Sequence, residues 1–493
     1  MEVKKKIKCD ILVVGGGNAG LVAAIEAKNR AANVLLMEKG PKQTRGGNSR
    51  HSWGTFRVAI ESEKDYLPLL EGTKLPKGKI EIGPHPKDEF YNVAMRLSDG
   101  LADKRLTEIY VNQSLETVRW MKEQGLQWDV SLRHVFRDGD RLIWPTGSIF
   151  LTSLGNSGEG LVEQLYGISE KRGIKILYET AAFSLITDTD NKVCGAIAKS
   201  GDGVIQIDSK NVILACGGFQ ADPSWRRSYF GENWDLAKVR GTRFDTGDGI
   251  KMAVEVGAQV CGHWGGCHAT IVSEDSPMIE GAIVGSERYS YPFSIVVNRN
   301  GERFFDEGES FFDYTYAKFG KEIIKQPGCI AFQIFDAKVF HLFKDEYKNA
   351  LKVQSNSFEE LAEELDISVE RFLTTIKEFN RAIVNSEKPF VPFELDGRRT
   401  KGLNPDKTNW AQKIDTPPYQ GYAVACGLTM TYGGLKTNEK AQVIDTSDRP
   451  IKGLYAVGEV TGGFFYHNYP GGAGLTRGAV MGRIAGADAA LNV

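Results

Sequence analysis

The stretch "CDILVVGGGNAGLVAAIEAKNRAANVLLMEKG", residues 9 to 40, limits the possible folds more than any other part of the chain. Ile11 to Val14 form a short apolar run suited to a buried parallel strand, and Gly15, Gly17 and Gly20 follow in G-x-G-x-x-G spacing. Leu21 to Ala27 continue with helix formers. Strand, glycine turn and helix in this order leave free N–H groups and the positive end of a helix dipole facing a phosphate. A second run, Asn33 to Met37, ends at Glu38, where a carboxylate can accept the hydroxyls of a ribose. Gly15, Gly17, Asn18, Ala19, Gly20, Glu38 and Lys39 therefore predict a dinucleotide site, and the acid disfavours a 2′-phosphate.

At 493 residues the chain exceeds what one hydrophobic core supports, so two or more domains are expected. Lys and Arg number 61 against 63 Asp and Glu, which gives no electrostatic drive toward nucleic acid and points to a small-molecule partner. The seven cysteines, at 9, 194, 216, 261, 267, 329 and 426, form no C-x-x-C or ligand-spaced cluster. That argues against a disulfide framework and metal ligation and for reduced thiols in a cytoplasmic protein. No apolar run approaches transmembrane length.

Further motifs separate the dinucleotides. After Glu38, Gly46, Gly47, Asn48 and Ser49 form a flexible, donor-rich loop that could run along the cofactor toward its reactive end, which an NAD site seldom needs. Residues 174 to 210 alternate apolar and polar side chains around turn signals, predicting antiparallel strands that lead into a buried strand, Val212 to Ala215, and a glycine turn. Thr246, Gly247, Asp248 and Gly249 open a helix; "KGLYAVGEVTGG" ends a strand at Gly458 and Glu459. The run "GGAGLTRGAVMGRIAG" then starts a helix whose first amides, near Gly474 to Thr476, could face a cofactor ring.

In order and over nearly the whole chain, these motifs resemble the fumarate reductase and succinate dehydrogenase flavoprotein family, and "RGGNSRH" and "FFYHNYPGGAGLT" are most similar to its tricarballylate dehydrogenase branch. The resemblance implies an α/β fold: a Rossmann-like FAD-binding domain (1–267 and 429–493) interrupted by an α+β capping domain (268–428). Residues 356 to 386, an amphipathic helical pair, suit the cap. The expected FAD contacts then also include Ala182, Ala215, Gly217, Asp248, Gly458, Glu459, Gly474, Leu475 and Thr476. FAD is expected to be non-covalent, since Asn48, not His51, stands where covalent members carry their linking His.

The implied chemistry is hydride transfer between flavin N5 and a CH–CH bond next to a carboxylate or ketone, with a separate redox protein, quinone or oxygen closing the cycle. Tyr469, His268 and His467 are the first candidates for substrate contact or proton transfer; Tyr432 and Tyr291 follow. Departures from the family matter as much. Tyr469 stands in place of an Arg, Thr429 and Met430 in place of a His, and Phe311 in place of an Arg proton donor. Tyr469 is instead similar to the ketone-binding Tyr of 3-ketosteroid dehydrogenases, which keeps that class open. Arg50, Arg57 and Arg243 could still serve a carboxylate, and a non-catalytic FAD-binding protein is the alternative of another class.

Overall fold

The computed structural model describes residues 2–83, 85–147, 151–281 and 285–493. Its central sheet has the order Lys175–Leu177, Val34–Met37, Ile11–Val14, Asn211–Leu214, Pro450–Ala456, Gln442–Ile444; all neighbours are parallel except the last pair. Ile11 to Val14 are buried throughout because both faces of the sheet are covered. Ile11 and Val13 pack with the helices Asn18–Asn29 and Ala473–Leu491, whereas Leu12 and Val14 pack with residues of the antiparallel strands Ala181–Thr187, Val193–Ser200 and Gly203–Asp208. The strand–turn–helix reading is observed, and so is the antiparallel set from Ala181 on, but its first segment, Lys175–Leu177, joins the parallel central sheet. The "GGNS" segment is not a loop: Gly47–Arg50 closes one helical turn after Gly46, whose φ is 109°.

A second sheet carries the other wall of the molecule. Its long strand Tyr419–Leu435 pairs antiparallel with Val260–Ser273 and with Ile330–Phe335, and the latter pairs with Ile295–Val297. Residues 268 and 428, the expected cap boundaries, lie next to each other across this ladder, where Ala269 is the register partner of Leu428. The amphipathic pair forms the helices Phe358–Glu364 and Val369–Ala382. Their buried Leu361, Phe372, Ile376 and Phe379 pack against Ile295, Val297, Phe332 and Ile334 of the sheet.

Helices Asn18–Asn29 and Ala473–Leu491 come from opposite ends of the chain and touch backbone to side: a Cβ on Gly482 would lie 2.5 Å from the Ala19 carbonyl oxygen, and one on Gly486 2.4 Å from that of Ala23. Such overpacking forces the helices apart at a cost of roughly 1–3 kcal/mol. Gly486→Ala is therefore expected to lower the unfolding free energy by that amount, read as a lower midpoint at an unchanged denaturant slope, whereas Gly201→Ala, at an open surface turn, should cost less. An unfolding curve for Gly486→Ala that overlays the parent's would contradict this packing.

Candidate functional site

A cleft opens where the central sheet ends, between the Gly15–Gly20 turn, the first turn of Ala473–Leu491 and the second sheet. At one end Glu38 is buried; it accepts the N–H of Gly40 at 2.7 Å, that of Gly16 at 3.1 Å and the Tyr166 hydroxyl at 3.3 Å. Burial pushes its carboxyl above the usual range, against the pull of those donors. Beside it the Lys39 ammonium is fixed by Thr246 and Asp248, each 2.7 Å away. The sequence-predicted cofactor residues line this cleft except Gly20, Gly46 and Thr476. These three support it from behind: a Cβ on Gly20 would meet the Gly15 carbonyl oxygen at 2.0 Å, one on Gly46 would meet Val162 at 2.4 Å, and the Thr476 hydroxyl donates to the Arg57 carbonyl at 2.7 Å.

The middle of the cleft is built by the short helix Gly47–Arg50. Ser49 Oγ accepts the Asn18 N–H at 2.9 Å, and the Asn48 amide donates to the Thr429 carbonyl at 2.6 Å while accepting the Thr242 N–H at 2.9 Å. Glu459 accepts the Thr431 N–H at 3.0 Å, and burial pushes its carboxyl up to about 7. The buried Asn18 Oδ1 and Arg477 Nε, both on residues that line the cleft, have no partner among the described residues. An elongated groove with an acid at one end, glycine turns along it and unpaired polar atoms at its middle suits a dinucleotide with a long linker. The residues fit FAD.

The far end is walled by rings. Neighbouring centroids lie 5.3 Å apart for His134 and Trp53, 5.4 Å for Trp53 and Tyr289, 5.2 Å for Tyr289 and Tyr316, 4.9 Å for Tyr316 and His268, and 5.0 Å for His268 and Tyr469. Tyr469 takes the Gly474 N–H on its hydroxyl oxygen at 2.9 Å. This corrects one expectation, because the Gly474 amide is spent on Tyr469; the phenolic proton remains available to a substrate oxygen. Burial raises the Tyr469 phenol above its ordinary range. His268 is buried, its Nδ1 unpartnered among the described residues, and burial with Arg240 nearby pushes it down to about 3, so it is neutral at pH 7.

Other candidates lie elsewhere. His467 sits at φ 54°, a bend that swings it to the surface, where its N–H donates to His263 Nδ1 at 3.1 Å. Tyr291 is a core residue whose hydroxyl is paired with Thr315 at 2.6 Å. Tyr432 is buried against Phe465 outside the cleft lining. Of the proposed carboxylate binders, Arg50 pairs with Glu159 and Glu163, Arg243 with Glu280, and Arg57 is buried with its Nε donating to the Gly471 carbonyl at 2.7 Å; none lines the cleft. The arginines that do are Arg240 and Arg477, neither singled out from the sequence, with Lys39 at the nucleotide end. Glu287 Oε1 accepts the Arg240 Nε at 3.0 Å and also the Trp53 indole N–H at 2.9 Å.

Replacing a buried acceptor of charge-assisted hydrogen bonds costs roughly 1.5–3 kcal/mol. Glu38→Ala is thus expected to weaken FAD binding by about tenfold or more, measured by titrating apoprotein with FAD and following flavin fluorescence. Unchanged affinity would show that the carboxylate does not hold the cofactor.

Comparison with known proteins places these features in a family. The model for an FAD binding domain matches residues 10–475. A "Probable fumarate reductase Ifc3" of Shewanella frigidimarina is 29% identical over 97% of this chain and 74% of its own length. A "Vinyl phenol reductase" of Lactiplantibacillus plantarum is 26% identical over 96% of this chain and 94% of its own. The solved structure of the open conformation of a flavocytochrome c3 fumarate reductase superposes with a TM-score of 0.74 at 27% identity, covering 99% of this chain and 79% of that one. The chain belongs to the FAD binding domain family of flavin-dependent oxidoreductases and uses FAD as its cofactor.

Proposed function

We propose that the chain moves a hydride to or from FAD across a CH–CH bond next to a ketone or a single carboxylate, on a substrate with a flat apolar body. The wall of rings from His134 to Tyr469 carries this reading. Arg240 is compensated by Glu287 and His268 is neutral; only Arg477, lowered to about 10 by burial against the pull of Glu459, is left incompletely paired among the described residues lining that end. Burying the carboxylates of a tricarballylate-like substrate here would leave them poorly paired, at several kcal/mol. A flat substrate stacks on the rings at no such cost. The vinyl phenol reductase, alike over nearly its full length, supports the aromatic option; the fumarate reductase likeness supports the bond type.

In this reading the predicted nucleotide residues hold FAD, which when bound supplies the two-electron exchange. Segment 268–428 caps the cleft, Tyr469 donates a hydrogen bond to the substrate carbonyl oxygen, and Arg240, kept in its pair with Glu287 through Nε and Nη2, offers Nη1 to a single carboxylate or carbonyl. The closing electron partner is a redox protein, a quinone or oxygen. All seven cysteines are free thiols, in keeping with a cytoplasmic setting, and no helix among the described residues is long and apolar enough to cross a membrane.

The probes are trans-cinnamate, 2-cyclohexenone, fumarate and cis-aconitate, each mixed anaerobically with dithionite-reduced holoenzyme while flavin absorbance is followed. Cinnamate or cyclohexenone should reoxidise the flavin at least about tenfold faster than the two polycarboxylates, a margin of ~1.4 kcal/mol. Faster reoxidation by cis-aconitate would return the chain to the tricarballylate branch. Tyr469→Phe keeps the ring and should retain FAD while slowing that step on the order of 10²-fold; a parental rate would reduce Tyr469 to packing.

Attachment is open to a simpler test. His51 does not line the cleft, and Asn48 is held by Thr429 and Thr242, so the flavin is proposed to be non-covalent. Acid precipitation is expected to leave the yellow colour in the supernatant, and a yellow pellet would contradict this.

A further inference from the structure

His134, the first ring of the wall, has a buried carboxylate partner in Asp313. The His134 ring lines the chamber beside Trp53 and stacks on Phe312 with centroids 5.2 Å apart. Its Nδ1 lies 2.7 Å from Asp313 Oδ1, and Asp313 Oδ2 accepts the Thr146 hydroxyl at 3.0 Å. The Asp313 carbonyl accepts the Gly471 N–H at 3.3 Å, which ties the pair to the glycine run below Tyr469. His134 and Asp313 are both buried, and Nε2 has no partner among the described residues.

These contacts fix the proton inventory. Burial alone would raise the Asp313 carboxyl, but His134, Arg57 and Lys344 hold it below its usual range, so it is ionised and can only accept. Nδ1 must then carry the hydrogen. Burial pushes the imidazole below its ordinary value against the pull of Asp313; the charges of Lys344 and Arg133 add to the lowering. The ring is neutral and Nε2 offers a bare lone pair. A buried acceptor left unpaired is costly, and on a ring that lines the cleft it marks a place where a proton can go.

We propose that His134 is the acid–base residue at the carbon α to the substrate carbonyl and that Asp313 is its positioning residue, holding the ring through Nδ1. This rests on the hydride-transfer reading above. In the oxidising direction Nε2 takes the α-proton, the electrons of that C–H bond become the C=C π bond, and hydride leaves the β-carbon with its electron pair to oxidised FAD, the two-electron acceptor. In the reducing direction each step runs backward. The pair thereby fills the role left vacant where Phe311 stands in place of an arginine.

Two measurements separate the claims. In FAD-loaded protein labelled with ¹⁵N-histidine, the His134 resonances should show protonated Nδ1 and unprotonated Nε2 at pH 7, and Asp313→Asn should mix or reverse that tautomer. Protonated Nε2 in the parent would overturn the proposal whatever the substrate. With whichever probe reoxidises the parent flavin, His134→Gln should retain FAD and slow reoxidation about 10²- to 10⁴-fold. Asp313→Asn should slow it less and move the pH profile. Parental rates and pH profiles in both variants would overturn it as well. A parent that reacts with no probe sinks the hydride reading, while the tautomer result still decides the state of His134.

Discussion

The close crossing of Asn18–Asn29 and Ala473–Leu491 is the constraint on which the site depends. Glycines at 482 and 486 let the second helix lie against the backbone of the first at Ala19 and Ala23. The Asn18 side-chain amide donates to the Leu475 carbonyl at 2.9 Å and locks the two N-terminal ends together. Two positive helix ends, separated by more than 450 residues of sequence, thus face one cleft. A dinucleotide laid along it can meet the first helix at its phosphates and the second near its reactive ring.

The second sheet sets what the cofactor can act on. Strand Tyr419–Leu435 carries Thr429 and Met430 into the cleft, and its partner Val260–Ser273 carries His268, the register mate of Met430. Electrostatics then narrows the choice. Under the proposed function Arg240 stays in its buried ion pair with Glu287, because breaking such a pair would be costly. In that reading the ring surface, with a few directed polar atoms, selects by shape and by one hydrogen-bonded oxygen.

Much of the nucleotide half was legible because its chemistry is local. Gly15, Gly17, Gly20 and Glu38 fall within one strand–turn–helix–strand unit, so spacing alone carried the reading. Asn48 and Ser49 were legible as polar residues of the cleft, although the loop proved to be a helical turn in which Ser49 Oγ accepts a hydrogen bond. The substrate half was not, because its partners are remote in sequence. Nothing in "LRHVFRDGD" links His134 to Asp313, 179 positions on, and Arg240 finds Glu287 only through the fold. Tyr289 and Tyr291 look equivalent in "ERYSYPF", but Tyr291 opens a 3₁₀ turn, Tyr291–Phe293, and is turned into the core. His467 was misjudged for a similar reason: a positive φ, invisible in composition, turns it outward.

Amide hydrogen exchange tests the shared cleft most directly, by comparing apoprotein with FAD-loaded protein. If both helix ends serve one cofactor, peptides covering residues 15–20 and 472–478 should slow together on loading, while the helices Phe358–Glu364 and Val369–Ala382 stay unchanged. Protection confined to residues 15–20, with 472–478 exchanging as fast as in the apoprotein, would contradict the account.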